Sequence, residues 1–548
     1  MLTPSTSRRG LLVALMGLAL GCVTLTERKV ERCEGMGFAA SCGDSECSPG
    51  ETEQTCPADC SDAKVVSYNL QTVCDEVQEV VYPTDPAGVQ RAVRRAREEG
   101  KPVRVIGRRH TSNAQLCNTG IIVSTAELDD ALYIERFEGV ETVMTEPGIR
   151  YGDLTQWLDE RGRSLGFAVL GTRDPTIAGA IATASHGSSP RHPSVISSRV
   201  EWVELVDAEG ELREFSRRST DEATWKTLTA SLGMVGIITR LRLRVEPTFN
   251  LDVQVTYHSD LALGQGAGPI DYVRDCDYGQ LIWFPGRHRV VKMCGVKTEL
   301  PRELGATNRL LKPDFKRWVA GPAERALHYG TCSERFNCAT LELTRYRQFV
   351  REPPLYRKMA TEQRDRSFHQ VVGSGNHMMS SELTLAQQGI LQHDFEFAIP
   401  PSRAAEVFAA ARRYFSQEHV CLPLVGVFIR FSRVEDEAWI AHTSASPRFE
   451  SGEFATFFEM PIYVPEGPDA AARDAYLQPY HEWVRRLVVE FDARPHWGKN
   501  DAWVFDLQDP ERAYPERWAA FRRTVATMDP EGIFANAWSI DRGLRRLP

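Results

Sequence analysis

Thr176-Ile177-Ala178-Gly179-Ala180-Ile181-Ala182-Thr183-Ala184-Ser185-His186-Gly187-Ser188-Ser189 is a run in which nearly every side chain is small. Small residues let a backbone approach a ligand closely and turn its N–H groups toward phosphate oxygens without steric cost. The same composition also suits a tightly packed helix followed by a turn, so the run has to be read with its neighbours. Upstream, Lys101 to Ile106 reads as a strand (Val103, Val105, Ile106) entering the polar turn Gly107-Arg108-Arg109-His110-Thr111-Ser112-Asn113. Downstream, Ser231-Leu232-Gly233-Met234-Val235-Gly236-Ile237-Ile238 leads into an alternating strand, Thr239 to Val245. Each stretch alone is weak, but their order and spacing together describe one site.

The elements around them are short. Thr84-Asp85-Pro86 supplies an N-cap with Pro at the first helical position, and Val89, Ala92, Val93 and Ala96 follow at helical spacing until Gly100. Ile121 to Ser124 reads as a strand. Tyr151, Leu154 and Leu158 share one face of a short helix that Gly162 stops. This is an α+β pattern, not a long βαβ array.

Composition excludes several classes. The chain has 548 residues, 42% apolar and 25% charged, with a net charge of −9, ordinary values for three to four globular units. No dense Lys/Arg stripe marks a nucleic-acid surface. The one long apolar run, Leu11 to Gly21, is shorter than the roughly 20 residues that span a bilayer. GxGxxG is absent, since Gly373-Ser374-Gly375 is followed by Asn376-His377-Met378; so are GK[ST], HExxH and GxSxG.

The apolar run follows Arg8-Arg9 and ends in Leu18-Ala19-Leu20-Gly21-Cys22, a secretory pattern. Ser7-Arg8-Arg9-Gly10-Leu11-Leu12 resembles a twin-arginine export signal, a receptor-read address. Gly21-Cys22 resembles a bacterial lipoprotein cleavage site, although Ala19 stands where Leu or Val is usual. The expected location is therefore the periplasm or cell envelope, with a lipid on Cys22 as membrane anchor. Of 13 cysteines, Cys33, Cys42, Cys47, Cys56 and Cys60 crowd one segment with almost nothing apolar between them. Their spacings do not form paired CxxC units and no His lies among them, so disulfides are favoured over zinc. No metal site is assigned, with weak calcium binding by this acidic segment left open. In the middle of the chain Cys276, Cys294, Cys332, Cys338 and Cys421 recur, and Cys332–Cys338 is expected to form a local disulfide.

The three glycine-punctuated stretches resemble the FAD-binding domain of the vanillyl-alcohol-oxidase flavoprotein superfamily, from about Tyr82 to Pro247. Arg494-Pro495-His496-Trp497-Gly498-Lys499 and Asp529-Pro530-Glu531-Gly532-Ile533-Phe534-Ala535-Asn536 resemble its sugar-lactone and alditol oxidase branch, which includes arabinonolactone, gulonolactone and xylitol oxidases. The resemblance implies FAD held by Gly107, Arg108, Arg109, His110, Thr111 and Ser112, by Gly179, Ala182, Thr183, Ser185, His186 and Gly187, and by Gly233, Gly236 and Ile238. His110, placed as in the branch, implies a covalent bond to the flavin 8α-methyl. No Cys lies between Cys117 and Cys276 to make a second flavin bond. An exported flavoprotein that folds around its cofactor suits a signal that carries folded proteins. Lys499 is implied as the catalytic cation near the flavin and substrate, with His496 and Trp497 in packing and orienting roles.

The branch also carries a Glu-x-Arg pair on a strand facing the flavin. Phe428-Ile429-Arg430 is the matching place, which keeps Arg430 as a catalytic residue and puts Phe428 where a carboxylate is expected. Loss of that polar anchor would favour a bulkier or more apolar alcohol; alternatively Glu382, Glu396 or Glu459 supplies the carboxylate. The expected architecture is α+β. A two-lobed FAD-binding domain (65–248) joins an α+β substrate or cap domain over an antiparallel sheet (249–455). A C-terminal segment (456–548) completes the site, behind an export signal (1–22) and a Cys-rich, disulfide-rich tether (23–64). The expected activity is oxidation of a CH–OH group of a sugar lactone or alditol, with oxygen as acceptor. A dehydrogenase using another redox acceptor, or a non-catalytic flavin-fold binding protein, is the alternative.

Overall fold

The computed structural model describes residues 65–69, 71–166, 172–310, 334–361, 364–381, 392–417, 426–463 and 470–545. Cys22, the five clustered N-terminal cysteines, Cys332, the Cys338 side chain, Cys421 and Glu382 lie outside what is described. The described cysteines Cys74 and Cys117 form one disulfide, and Cys276 and Cys294 another.

Two sheets make the first unit. The helix Pro86–Glu98 starts where expected: Asp85 Oδ1 accepts the Gly88 N–H at 2.6 Å, and Val89, Ala92, Val93 and Ala96 are all buried. That face covers a three-stranded parallel sheet in the order Glu79–Val81, Ile121–Ser124, Val103–Ile106. A five-stranded antiparallel sheet, ordered Leu212–Ser216, Val200–Val206, Ile237–Arg244, Val140–Thr145, Ala131–Phe137, forms the second lobe. The C-terminal stretch returns to the first lobe. There the Asp529 carboxylate accepts the N–H groups of Gly532, Ile533 and Phe534, each at 2.9 Å, and the Val103 N–H bonds the Ile533 carbonyl at 2.7 Å. Asn536 Nδ2 then donates to the carbonyls of Gln115 and Cys117 at 3.0 and 2.8 Å.

The small-residue run adopts both forms its composition allows. Thr176 caps a short helix, Ile177–Ala182, by accepting the Gly179 N–H at 3.3 Å, and the chain then turns through Ala184 at φ 52°.

The second unit is an eight-stranded antiparallel sheet. Its order is Gln370–Ser374, Asn250–Ser259, Arg289–Thr298, Tyr278–Phe284, Val427–Arg433, Phe454–Tyr463, Gln392–Ile399, Arg494–Pro495. Because strand side chains alternate, Phe395, Phe397, Ile429, Phe431, Phe458 and Met460 bury on one face, under the helices Ala404–Phe415 and Ala470–Val489. Each such side chain contributes about 1.5–3 kcal/mol by burial. The intervening residues Asp394, Glu396, Phe428, Arg430 and Glu459 take the other face, where they line a cavity.

Candidate active site

A single cavity of about 530 Å³ runs from the first lobe to the polar face of the large sheet. Gly107 to Thr111, Gly179, Ala182, Thr183, Ser185, His186, Gly233, Gly236 and Ile238 line one end. Arg430, His496 and Lys499 line the other. Two residues expected there do not line it: Ser112 instead bonds the Gly498 carbonyl through its N–H at 2.9 Å, and the Gly187 N–H bonds the Ser194 carbonyl at 2.7 Å. Both hold the walls in place. Tyr68, Arg104, Gln392 and Asp394 line the cavity and were not anticipated.

The first end fits FAD. Left-handed backbone occurs in each of the three glycine-bearing stretches, at Arg109 (φ 58°), at Ala184 (φ 52°) and at Leu232-Gly233 (φ 51° and 69°). Such conformations persist where surrounding structure holds them for a purpose, here a concave backbone cradle. Arg104 is buried and donates to the Leu232 carbonyl at 2.7 Å, and its Nε, like Gln115 Oε1 on the same cavity wall, has no partner among the described residues. Burial lowers the Arg104 pKa to about 10, so the group stays charged and favours an anionic ligand.

Gly107 is required by contact. A methyl there would stand 2.3 Å from Thr176 Oγ1 and 2.9 Å from its Cγ2, forcing the first loop away from the helix cap of the second. Gly107→Ala is expected to cost about 1–3 kcal/mol of local packing. The flavin-to-protein absorbance ratio of the purified chain should fall accordingly, and an undiminished ratio would contradict this packing role.

His110 is held on two sides. Its Nε2 lies 2.5 Å from Asp174 Oδ2, and the Tyr68 ring stacks on the imidazole at 4.2 Å between centroids. Burial works against the Asp174 charge, but the His110 hydrogen bond and charge, with Arg108 at 3.4 Å and Arg150 at 3.7 Å, outweigh it and hold this carboxyl well below the usual range. Engagement of Nε2 leaves Nδ1 as the ring nitrogen free of Asp174.

At the other end three carboxylates meet two cations. Lys499 Nζ contacts Glu459 and lies 3.1 Å from Glu396 and 3.3 Å from Asp394. Arg430 lies 2.7 Å from Glu459 and 3.3 Å from Glu396. His186 Nε2 is 3.2 Å from Glu396 and its ring stacks on Phe457. Burial opposes the Lys499 charge, but the three carboxylates reverse that and hold its pKa well above the ordinary lysine value. Burial raises Asp394 to about 6; for Glu396, burial is outweighed by Lys499, His186 and Arg430, which keep it well below the carboxylate range. His496 stays neutral: burial first, then His442, stacked 4.2 Å away, drives its pKa well down, and its Nδ1 accepts the Gly498 N–H at 3.0 Å.

Phe428 stands where a carboxylate is expected, and the alternatives Glu459 and Glu396 lie beside it. Phe428 pairs directly with Glu459 across the sheet, and Glu459 pairs with Glu396, so neighbouring strands put two carboxylates beside the missing one. Asp394 Oδ1 is buried without a donor among the described residues, whereas Glu396 Oε2 and Glu459 Oε2 are held by charge, 3.1 Å from Lys499 Nζ and 2.7 Å from Arg430. Burying charges this way costs stability, which marks the cluster as functional. The strand stretch Asp394-Phe395-Glu396-Phe397 carries the sign of it, polar residues alternating with apolar ones.

Comparison with known proteins agrees with this geometry. Residues 77–216 match the FAD binding domain family and residues 241–542 the D-arabinono-1,4-lactone oxidase family. L-gulonolactone oxidase of Bos taurus is 24% identical over 469 residues, covering 83% of this chain and 93% of that protein. L-gulono-1,4-lactone dehydrogenase of Mycobacterium tuberculosis is 23% identical over 475 residues, covering 84% and 94%. Among solved structures, a solvent-stable cholesterol oxidase superposes with a TM-score of 0.69 at 17% identity, over 88% of this chain and 97% of that one, a likeness of fold. With a flavin cradle at one end of its cavity and a buried cation among acceptors at the other, the chain belongs to the D-arabinono-1,4-lactone oxidase family of FAD-linked oxidoreductases acting on CH–OH donors.

Proposed function

We propose that this protein oxidises a CH–OH carbon of a sugar lactone, of the D-arabinono-1,4-lactone kind, and passes the two electrons through FAD to oxygen. The observation that carries this reading is the buried polar cluster on the cavity wall, Asp394, Glu396 and Glu459 around Lys499 and Arg430, with Asp394 Oδ1 lacking a donor among the described residues. A polyhydroxylated substrate brings O–H donors for these acceptors, whereas a bulky apolar alcohol would leave Asp394 Oδ1 unsatisfied and the charged cluster desolvated. Bound FAD supplies the hydride acceptor. Lys499 and Arg430 orient substrate oxygens and place positive charge where negative charge accumulates. His496 lines the wall, and Trp497 packs behind it against Phe505 and Tyr514, its Nε1 donating to the Ile440 carbonyl at 2.7 Å.

In air the enzyme should release one hydrogen peroxide for each lactone oxidised, which a peroxide assay alongside product analysis measures. The second reading, a dehydrogenase, is favoured by the mycobacterial relative's name. Turnover of a sugar lactone with an artificial dye but no peroxide would select it, and no turnover with either acceptor would reject oxidation of this class.

The reading includes a covalent FAD bond to His110: Nδ1 would bond the 8α-carbon as the methyl and the imidazole each give up a hydrogen, the two electrons passing through the flavin to oxygen. Asp174 on Nε2 raises the nucleophilicity of the other ring nitrogen. Asp174→Asn should slow attachment on the order of a hundredfold while FAD still binds, followed as flavin remaining on the denatured chain over time; unchanged attachment would exclude that role. Export to the cell envelope, with the signal around Arg8-Arg9 and a lipid on Cys22, is supported by the two disulfides, which form in oxidising compartments. No helix among the described residues is long and apolar enough to cross a membrane, so any anchor on this reading is the lipid.

A further inference from the structure

The segment Val65–Cys74 precedes both matched family ranges, yet it reaches the centre of the cavity. It is a hairpin of two-residue strands, Val65–Val66 against Val73–Cys74, too short to hold its shape alone. Its conformation is set from outside by three parts of the fold. Cys74 is bonded to Cys117, the Tyr68 N–H bonds the Arg109 carbonyl at 2.9 Å, and Thr72 Oγ1 bonds the Ser112 carbonyl at 2.6 Å. Asn69 Nδ2 donates to Ser112 Oγ at 3.0 Å and to the Gln392 carbonyl at 2.8 Å, and Gln71 contacts Asp501. The hairpin therefore straddles the flavin loop, the large sheet and the C-terminal segment. From it, Tyr68 lays its ring on His110 and directs its hydroxyl to Asp394 Oδ2 at 3.2 Å.

We propose that Tyr68 is a positioning residue: its ring fixes the plane of the His110 imidazole opposite Asp174, and its hydroxyl holds Asp394 as a hydrogen-bond acceptor within the charge cluster. One side chain would thus tie the flavin-attachment point to the substrate end. The inference deepens the FAD-linked reading above and rests on it.

The geometry separates the two duties. The ring acts by stacking, which Phe preserves. The hydroxyl acts by donating, which Phe abolishes. Asp394 is faced by Tyr68 from the hairpin, by Glu396 on its own strand and by Glu459 on the adjacent strand. Arg430 lies one strand further, and Lys499 faces it from the segment after Arg494–Pro495. Of these, Tyr68 and Lys499 are the donors, so loss of the Tyr68 O–H leaves the ionised form with one fewer partner and raises the pH at which Asp394 takes up a proton.

The test uses full-length protein loaded with FAD. A pH titration of the bound flavin's visible spectrum, which needs no substrate, reports Asp394, and flavin left on the denatured chain reports attachment. Tyr68→Phe should keep wild-type attachment and move the spectral midpoint up by about one pH unit. Tyr68→Ala should move it similarly and lose at least half of the attached flavin. A wild-type midpoint in Tyr68→Phe, or wild-type attachment in Tyr68→Ala, overturns the proposal. Should Tyr68→Ala fail to take up FAD, Tyr68→Phe decides alone, since it removes a single oxygen. A wild-type chain that sheds its flavin when denatured overturns the covalent reading instead, and the spectral midpoint still tests Tyr68.

Discussion

His110→Ala protein, loaded with FAD and then denatured in acid, should release all of its flavin into the supernatant, whereas wild-type protein should keep the yellow colour on the precipitated chain. The prediction follows from what surrounds this imidazole. His110 lines the cavity at the exit of the strand Val103–Ile106, with Nε2 committed to Asp174 and one face covered by Tyr68. Half-buried Asp174 bonds the far nitrogen, which fixes the ring and leaves Nδ1 as the nitrogen free of it. A carboxylate there makes sense if it enhances the nucleophilicity of the other nitrogen. Alanine removes the nucleophile while the glycine turns and the buried Arg104 remain, so FAD should still bind, reversibly. Equal release from variant and wild type would reject the bond.

Lys499→Met is the second large effect. It should slow anaerobic flavin reduction by sugar lactone on the order of a hundred- to a thousandfold, with FAD retention little changed. Among the described residues, Lys499 is the one cation within reach of Asp394, Glu396 and Glu459 together. Its removal leaves three buried carboxylates sharing Arg430 and His186, so at least one must take up a proton. The site then loses both a fixed positive charge and an ionised acceptor for substrate hydroxyls. Flavin binding depends on the other end of the cavity and should survive. Reduction at the wild-type rate, measured by stopped-flow absorbance, would remove Lys499 from the chemistry.

What could be read from the chain follows the distance over which each feature is determined. The cap at Asp85-Pro86, the three glycine-bearing turns and the His-Trp-Gly-Lys element are local patterns: the cap starts its helix, and the turns, with His496, Gly498 and Lys499, line the cavity. The glycine turns were recognisable because the backbone needs them: Gly107 has no room for a methyl, and Gly233 and Gly236 have positive φ. The carboxylate problem was not local. Phe428 and Glu459 are 31 positions apart and become neighbours only through strand register, so the strand read alone lacks its acid and leaves Glu396 and Glu459 only as alternatives. Tyr68 escaped notice for a related reason: nothing in Ser67-Tyr68-Asn69 signals a site until the Cys74–Cys117 bond and the Asn69 contacts carry it across two units. Asp174 lies in view of the small-residue run, but its importance comes from facing His110, 64 positions away.

The most direct test of the whole account is anaerobic mixing of the purified, FAD-loaded chain with D-arabinono-1,4-lactone while the flavin absorbance is followed. The account predicts rapid bleaching of the visible band, complete at excess lactone, with recovery on admitting air. A band that persists through sugar lactones while a sterol or another apolar alcohol bleaches it would contradict the reading of Asp394, Glu396 and Glu459 as acceptors for sugar hydroxyls.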